Sequence, residues 1–259
     1  MFRCVAVLIF LMCFLPCPAM AEGLLFVTLD NAPQAYIEDG KPVGFLTEIV
    51  VEAARRAGYE AKVRIVPWRR ALAMAEKGTA DAVFNAGFNQ RRNEYLRFPE
   101  TILITEKIVA IRKAGSKAYL GYDFSGAADL VVGVGRGFFY GSRIQQAIAE
   151  GLFKRIEEVP NIDQNIQKLL LGRIDILFAD YYPVMKSLSD SNMLDKVEII
   201  SNPETGTPLI YSKSDTFLAF SRKKNPLAFN LVNAGIVGMK KDGSYKAIIK
   251  KYIDLHEGL

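Results

Sequence analysis

An aspartate at the end of a predicted strand is suited to contact a small ionic solute. Asp180 directly follows the apolar run Ile174–Ala179, and open α/β sheets bind ligands beyond the carboxyl ends of their strands. An aspartate in this place can also cap the helix that is predicted from Tyr181. Both roles stay open at this point, and one carboxylate can perform both.

A glycine-rich segment, Gly133–Gly137, follows one predicted strand and precedes a predicted helix. A dinucleotide-binding loop would need glycine at the position of Phe138, which disfavours that interpretation. We interpret the segment instead as an anion site, in which free backbone N–H groups at the start of a helix meet a ligand carboxylate. Its candidate residues are Arg136, Gly137 and Phe138.

Arginines and the single tryptophan are the other candidates for ligand contact. Arg91, Arg92 and Arg97 stand close together. A guanidinium group binds both oxygens of a carboxylate, but such a cluster is also typical of a solvated loop. Trp68 follows Pro67, and its ring face suits a cationic or flat side chain. An ordinary core tryptophan is the alternative.

Catalysis has little support in these residue types. Cys4, Cys13 and Cys17 all lie near the N-terminus, in a segment that we predict to be removed, and His256 is the single histidine. Ser-His, Cys-His and histidine-based metal sites are therefore disfavoured, and neither a cofactor nor a metal is expected. An enzyme that uses only carboxylates stays open.

Length and composition describe a folded protein with one large domain or two lobes. The chain has 259 residues, a formal net charge of +5, 50% hydrophobic and 24% charged residues. These values exclude a disordered chain and a polytopic membrane protein. The basic residues form short pairs, such as Lys223-Lys224 and Lys240-Lys241, rather than a basic arm. Nucleic acid is therefore not an expected partner.

The first 21 residues have the features of a secretory signal peptide. Arg3 precedes the apolar run Val5–Leu15, and Ala19-Met20-Ala21 has the small-x-small pattern of a cleavage site. The apolar run is about half of the ~20 residues that span a bilayer, which disfavours the alternative of a membrane anchor. We expect cleavage after Ala21 and a mature protein without cysteine, located in the periplasm.

The remaining chain alternates between strand and helix patterns, which predicts an α/β fold with parallel sheets. The first set has strands at Leu24–Leu29, Ala61–Val66 and Ala80–Phe84, with helices at Phe45–Ala57 and Pro67–Lys77. The second set has strands at Leu130–Val134, Phe153–Val159 and Ile174–Ala179, with helices at Phe139–Glu150 and Asp163–Leu171. A strand at Phe217–Ser221 and two helices, capped by Asn225 and Ser244, complete the chain.

The two sets share a matching segment. Lys77–Phe84 and Leu171–Phe178 each contain a helix end, a glycine and a strand with an aspartate at the same step, Asp81 or Asp175. One such match indicates two lobes of similar design rather than an array of many repeats.

Several short motifs then occur in the order and spacing of a known family. They are Gly44-Phe45, Pro67-Trp68, Lys77-Gly78 to Asp81, Arg92 before Phe98, Gly172-Arg173-Ile174-Asp175, and Lys241–Tyr245 running to Lys250-Lys251-Tyr252. With these motifs after a predicted signal peptide, the chain resembles a periplasmic solute-binding protein of the amino-acid type (family 3). The resemblance covers nearly the whole mature chain.

The resemblance implies a type II periplasmic-binding-protein fold. In this fold each lobe is a mostly parallel sheet flanked by helices, and two crossover strands join the lobes. Lobe 1 would comprise residues 22–104 and 215–259, and lobe 2 residues 106–213. The lobes would close like a hinge on a ligand between them.

The resemblance also implies a function and partners. The protein would capture a small polar solute, an amino acid or related zwitterion, and deliver it to the membrane permease of an ABC importer. It would act as a monomer. Two alternatives remain open: a ligand-sensing subunit for a membrane receptor, and a carboxylate-based dehydratase of a small organic acid on the same fold.

Site residues follow from the family positions. Arg92 stands at the carboxylate-binding position, Asp180 at that of the ammonium-binding acid, and Trp68 where relatives have a stacking aromatic residue. Strand ends would add Asn85 and Ala86, and also Asp30 and Asn31. The segment Gly87–Gln90 is shorter than is usual in the family, so Arg91 is an alternative to Arg92. Phe138 stands where relatives have Thr or Ser, which implies a more aromatic pocket.

Overall fold

The computed structural model describes residues 23–253. The predicted signal peptide, its cleavage site after Ala21 and His256 lie outside the described residues. Within that range, no helix is both long enough and apolar enough to cross a membrane.

Twelve strands and eight α-helices alternate along the described part of the chain. The strands are β1 (Gly23–Thr28), β2 (Tyr36–Glu38), β3 (Lys41–Val43), β4 (Glu60–Ile65), β5 (Ala82–Gly87), β6 (Leu96–Arg97), β7 (Ile104–Lys113), β8 (Val131–Gly135), β9 (Arg155–Val159), β10 (Ile176–Asp180), β11 (Val197–Ile199) and β12 (Ser212–Ser221). The helices are α1 (Phe45–Arg56), α2 (Trp68–Lys77), α3 (Gln90–Asn93), α4 (Ser142–Ala149), α5 (Ile162–Leu170), α6 (Tyr181–Asp190), α7 (Pro226–Asp242) and α8 (Ser244–Lys250).

The main sheet has the same strand arrangement in both lobes. In lobe 1 the order is β4-β1-β5, with all three strands parallel, followed by antiparallel β12. In lobe 2 the order is β9-β8-β10, again parallel, followed by antiparallel β7. The predicted α/β organisation with parallel strands in each set is therefore present in the structure.

Two long strands connect the lobes side by side. β7 and β12 each have ten residues and pair antiparallel over Ile104–Ile108 and Ser212–Thr216. Beyond this stretch β7 pairs with β10 of lobe 2, whereas β12 pairs with β5 of lobe 1. The expected lobe boundaries, near residues 105 and 214, fall within the paired stretch and stay a prediction.

The matching aspartates have the same structural role in the two lobes. The side chain of Asp81 accepts a hydrogen bond from the Leu25 backbone N–H at 2.8 Å, and Asp175 accepts one from Val131 at 2.8 Å. The backbone N–H of each aspartate bonds back to the carbonyl of the same partner, also at 2.8 Å. Each aspartate thus joins the start of a central strand to its neighbour, which explains the sequence match.

Gly44 fixes the position of the loop that precedes α1. Its φ angle is +112°, and a Cβ atom there would lie 2.5 Å from the backbone carbonyl oxygen of Gln34. The start of α1 contacts the same carbonyl, since the Leu46 backbone N–H donates to the Gln34 carbonyl oxygen at 2.9 Å. Gln34 is itself fully buried. The start of α1 therefore holds the Gln34 loop in place.

Candidate ligand-binding cleft

A cleft of about 730 Å³, part of it open to solvent, lies between the lobes. Both lobes and the crossover strand β7 contribute to its wall. The lining residues that carry polar or charged side chains are Asp30, Asn31, Trp68, Asn85, Arg92, Glu106, Tyr140, Asn161, Asn165 and Asp180. Six of the residues predicted from strand ends or family positions thus meet in one place: Asp30, Asn31, Trp68, Asn85, Arg92 and Asp180.

Arg92 is buried in the cleft wall, with 5% of its surface exposed. Asn89 caps α3 by accepting the Arg92 backbone N–H at 2.9 Å, which places the side chain. The guanidinium group donates to the carbonyls of Gly87 at 2.7 Å and Gly137 at 3.0 Å. Burial lowers the pKa of Arg92 to about 10, so the group stays charged at neutral pH. Three of its five N–H groups remain for a ligand.

Arg91, the alternative to Arg92, is exposed and does not line the cleft. The short segment before α3 thus brings Arg92 to the ligand side and turns Arg91 outward.

Trp68 spans the gap between the lobes. Its indole N–H donates to the Gly137 carbonyl at 3.0 Å, and the same oxygen accepts from Arg92. The Arg92 guanidinium lies 5.2 Å from the centre of the indole ring, which is a cation–π contact. One carbonyl of lobe 2 is therefore held by two side chains of lobe 1.

Asp180 ends β10 and stands at the N-cap position of α6. One carboxylate oxygen accepts the Lys107 backbone N–H at 3.0 Å, and the other accepts the Gln34 side-chain amide at 2.7 Å. Burial raises the pKa of Asp180 to about 7, and these donors with the Tyr181 backbone N–H partly counteract that rise. Asp180 thus both contacts the helix start and faces the cleft.

Gln34 connects three polar side chains and was not predicted from the sequence. Its carbonyl oxygen accepts from the side-chain amides of Asn85 at 2.6 Å and Asn31 at 2.8 Å, while its own amide donates to Asp180. Gln34 lies in a loop without a periodic pattern. Only the packing of Gly44 against it, together with closure of the lobes, brings it to Asp180.

Glu106 is the second functional candidate that sequence reasoning missed. It lines the cleft from the first half of β7, where Thr105 and Lys107 flank it and the apolar stretch begins only at Ile108. Burial raises the pKa of Glu106 well above its usual range, and the nearby Asp180 charge raises it further. The Asn85 side chain and the Arg92 charge oppose that rise. The polar stretch Thr105–Lys107 gave no signal that could have identified it, since an acid beside a lysine is typical of an exposed strand.

Three of the predicted site residues do not line the cleft. Ala86 is fully buried and packs among apolar residues of lobe 1, because it points away from Asn85 on the strand. Arg136 and Gly137 are exposed and do not line the cleft, although the Gly137 carbonyl bonds to the cleft residues Trp68 and Arg92. An anion site formed by them with Phe138 stays a prediction that the cleft lining does not support, although Phe138 does line the cleft.

The reason is that no helix starts at Phe139. The Phe138 backbone N–H bonds to the Gly135 carbonyl at 3.1 Å, and Gly137 has a φ angle of +73°, which makes a tight turn. Arg136 N–H bonds to Val159 of β9 at 2.7 Å. Helix α4 begins only at Ser142, after Gly141 with a φ angle of +87°. The amide of Arg136 is thus used within the sheet and that of Phe138 within the turn.

Residues 23–253 contain no cluster of three histidine, cysteine, aspartate or glutamate side chains that could hold a metal ion. The chemistry that the cleft offers is ionic and hydrogen-bonding contact: one buried guanidinium on one side, and Asp180 with Glu106 on the other.

This two-lobed fold, with a charged cleft beside paired crossover strands, is the type II fold of periplasmic binding proteins. The chain belongs to the bacterial extracellular solute-binding proteins, family 3, whose family model matches residues 25–255. The family relationship suggested by the sequence motifs is therefore confirmed.

Similar proteins and solved structures support both the family assignment and the fold. The L-cystine-binding protein TcyJ of Escherichia coli strain K12 is 28% identical over 241 residues, which cover 89% of this chain and 83% of that protein. An ancestral arginine-binding protein bound to arginine has a TM-score of 0.75 at 19% identity, covering 91% of this chain and 100% of the other. A histidine kinase sensor domain with similarity to periplasmic binding proteins has a TM-score of 0.78 at 16% identity, covering 90% and 97%. These structures confirm the type II fold.

Proposed function

We propose that the protein captures an amino acid or related zwitterion between its lobes and delivers it, chemically unchanged, to the membrane permease of an ABC importer. The observation that carries this proposal is the position of buried Arg92 and buried Asp180, together with half-buried Glu106, around one cleft. A zwitterion brings a carboxylate for the guanidinium and an ammonium for an acid, so both charges of the ligand have a partner in the cleft. The L-cystine-binding relatives support this ligand class.

Export is part of the same proposal. The signal peptide would be removed after Ala21, and the mature chain would act in the periplasm as a monomer. The family's extracellular character supports this location.

A thermal-shift screen tests the proposed ligand class. We expect L-cystine, L-arginine or L-glutamine to raise Tm by about 5–10 °C at a concentration near 100 times Kd, because a ligand that binds only the folded state stabilises it by about 2.7 kcal/mol. Succinate, which has no amino group, and putrescine, which has no carboxylate, serve as controls. If neither these amino acids nor any other zwitterion raises Tm, the proposal is contradicted.

Closure of the lobes is expected to depend on ligand. Hydrogen bonds join the two lobes at Gln34–Asp180 and at the Gly137 carbonyl. Without a ligand, the closed form depends on these bonds alone, because no ligand contacts both lobes. Hinge motion about the crossover strands requires little repacking. Small-angle scattering should therefore give a smaller radius of gyration with saturating ligand than without it. An unchanged radius would indicate a single rigid body.

A further inference from the structure

Two of the three acids that line the cleft, Asp180 and Glu106, differ in how many of their hydrogen-bond acceptor positions the protein already occupies. An ionised carboxylate has about four acceptor positions. Asp180 is contacted by Lys107 N–H, the Gln34 amide and the Tyr181 N–H. Most of its capacity is thus used by donors of the protein, and one of them, Gln34, comes from the opposite lobe.

Glu106 has a different environment. Glu106 shares the cleft wall with Asn85 and Asp180, and the backbone N–H of the adjacent Lys107 contacts the Asp180 carboxylate at 3.0 Å. The Asn85 side chain favours the charged form of Glu106 and lowers its pKa, whereas the like charge of Asp180 raises that pKa. Arg92 is the cation that acts on it, but that guanidinium is already bonded to two backbone carbonyls. Two nearby carboxylates in a dry site need a proton or an additional cation between them.

Amide oxygens in the same wall also lack donors. The Asn85 amide nitrogen donates to Gln34 at 2.6 Å, so its oxygen points elsewhere, and that oxygen is buried without a partner in the described part of the chain. The side-chain oxygen of Asn165, another cleft residue, is likewise unpartnered there. This part of the cleft therefore presents acceptors and needs donors.

We propose that Glu106, rather than Asp180, receives the cationic group of the ligand, and that Asp180 acts as a latch to Gln34 of the opposite lobe. The proposal rests on the proposed function and deepens it, since it assigns the ligand a primary ammonium or guanidinium group that lies against Glu106. Without ligand, a proton bound between Glu106 and Asp180 takes the place of that cation. The raised pKa of both acids agrees with this arrangement.

Isothermal titration of the full mature protein with L-cystine, L-arginine and L-glutamine tests the assignment. Glu106→Gln keeps the shape of the side chain but removes the charge, and we expect it to weaken binding at least about 30-fold. Asp180→Asn should weaken binding less, because its single amide oxygen can still accept from Gln34, at the expense of the bond from the Lys107 backbone N–H. Glu100→Gln, a change at an exposed acid outside the cleft, is the matched control and should bind as the wild type does.

A ligand-free measurement tests the same charge arrangement independently. The charged or titratable groups facing Glu106 are Asp180, Arg92 and Tyr140. A carboxyl whose pKa is raised by folding stabilises the folded state at low pH and loses that contribution as pH rises. Glu106→Gln should therefore melt at a higher temperature than wild type at pH 8, and the difference should shrink at pH 5.

The outcomes separate the two proposals. If no zwitterion binds the wild type, the proposed function fails, while the melting comparison still decides whether Glu106 carries uncompensated charge. If amino acids bind and Glu106→Gln binds as tightly as Glu100→Gln, the assignment of Glu106 is overturned. Equal melting temperatures of Glu106→Gln and wild type at pH 8 would overturn it as well.

Discussion

Replacing Arg92 with alanine is expected to weaken ligand binding by about 30-fold to several thousand-fold. The change would leave the ligand carboxylate buried without its partner, which costs about 2–5 kcal/mol. It would also remove one of the two donors that hold the Gly137 carbonyl across the cleft. Both effects favour the open, ligand-free form. Titration calorimetry with a ligand identified in the thermal-shift screen gives the change in Kd.

Arg91→Ala is the control for this prediction. Arg91 precedes Arg92 directly and has the same charge, but it is exposed and lies outside the cleft. Its loss should change binding by at most about 1 kcal/mol. A larger loss of affinity from Arg91→Ala than from Arg92→Ala would show that the assignment of the carboxylate partner is wrong by one residue.

Gly44→Ala is expected to lower the free energy of unfolding by about 3 kcal/mol or more, and Tm by about 6–12 °C. The φ angle of +112° is strained for any residue with a Cβ, and the added Cβ would lie 2.5–2.9 Å from the backbone of Gln34 and Ala35. Backbone atoms cannot turn aside as a side chain can, so either the loop or the start of α1 must move. Thermal and denaturant unfolding measure the effect.

Gly58→Ala separates strain from collision in this test. Gly58 also has a positive φ angle, +83°, but a Cβ there would meet nothing within 4 Å. It should cost about 1–2 kcal/mol, the penalty for a left-handed residue alone. If Gly44→Ala were no more destabilising than Gly58→Ala, the close approach to the Gln34 loop would have no energetic weight.

Much of the fold could be predicted because its elements carry local signals. Helix α7 begins at Pro226 behind the cap of Asn225 and ends before Gly243, as the residue types indicate. The first half of β12 gave no such signal, since Ser212–Asp215 is polar and becomes a strand only by pairing with β7. The start of α4 was placed too early because Phe139 and Tyr140 have an apolar pattern, whereas Gly141 sets the helix boundary.

The candidate site was predictable where it depends on strand ends and not where it depends on contact between lobes. Asp180 and Asn85 follow from the rule that ligands bind at the carboxyl ends of strands. Gln34 and Glu106 become part of the cleft only through tertiary structure. Gln34 reaches Asp180 from a loop of the other lobe, and Glu106 lies on a crossover strand, where no strand-end rule applies.

The position of Trp68 gives the protein a built-in optical reporter. It is the only tryptophan in the sequence, so indole emission comes from a single site. Its N–H bonds to a carbonyl of the other lobe, and its ring lies beside the Arg92 guanidinium, with 5% of its surface exposed. Separation of the lobes breaks that bond and lets water reach the ring. We therefore expect the emission wavelength of the unlabelled protein to report opening and closing of the lobes in real time.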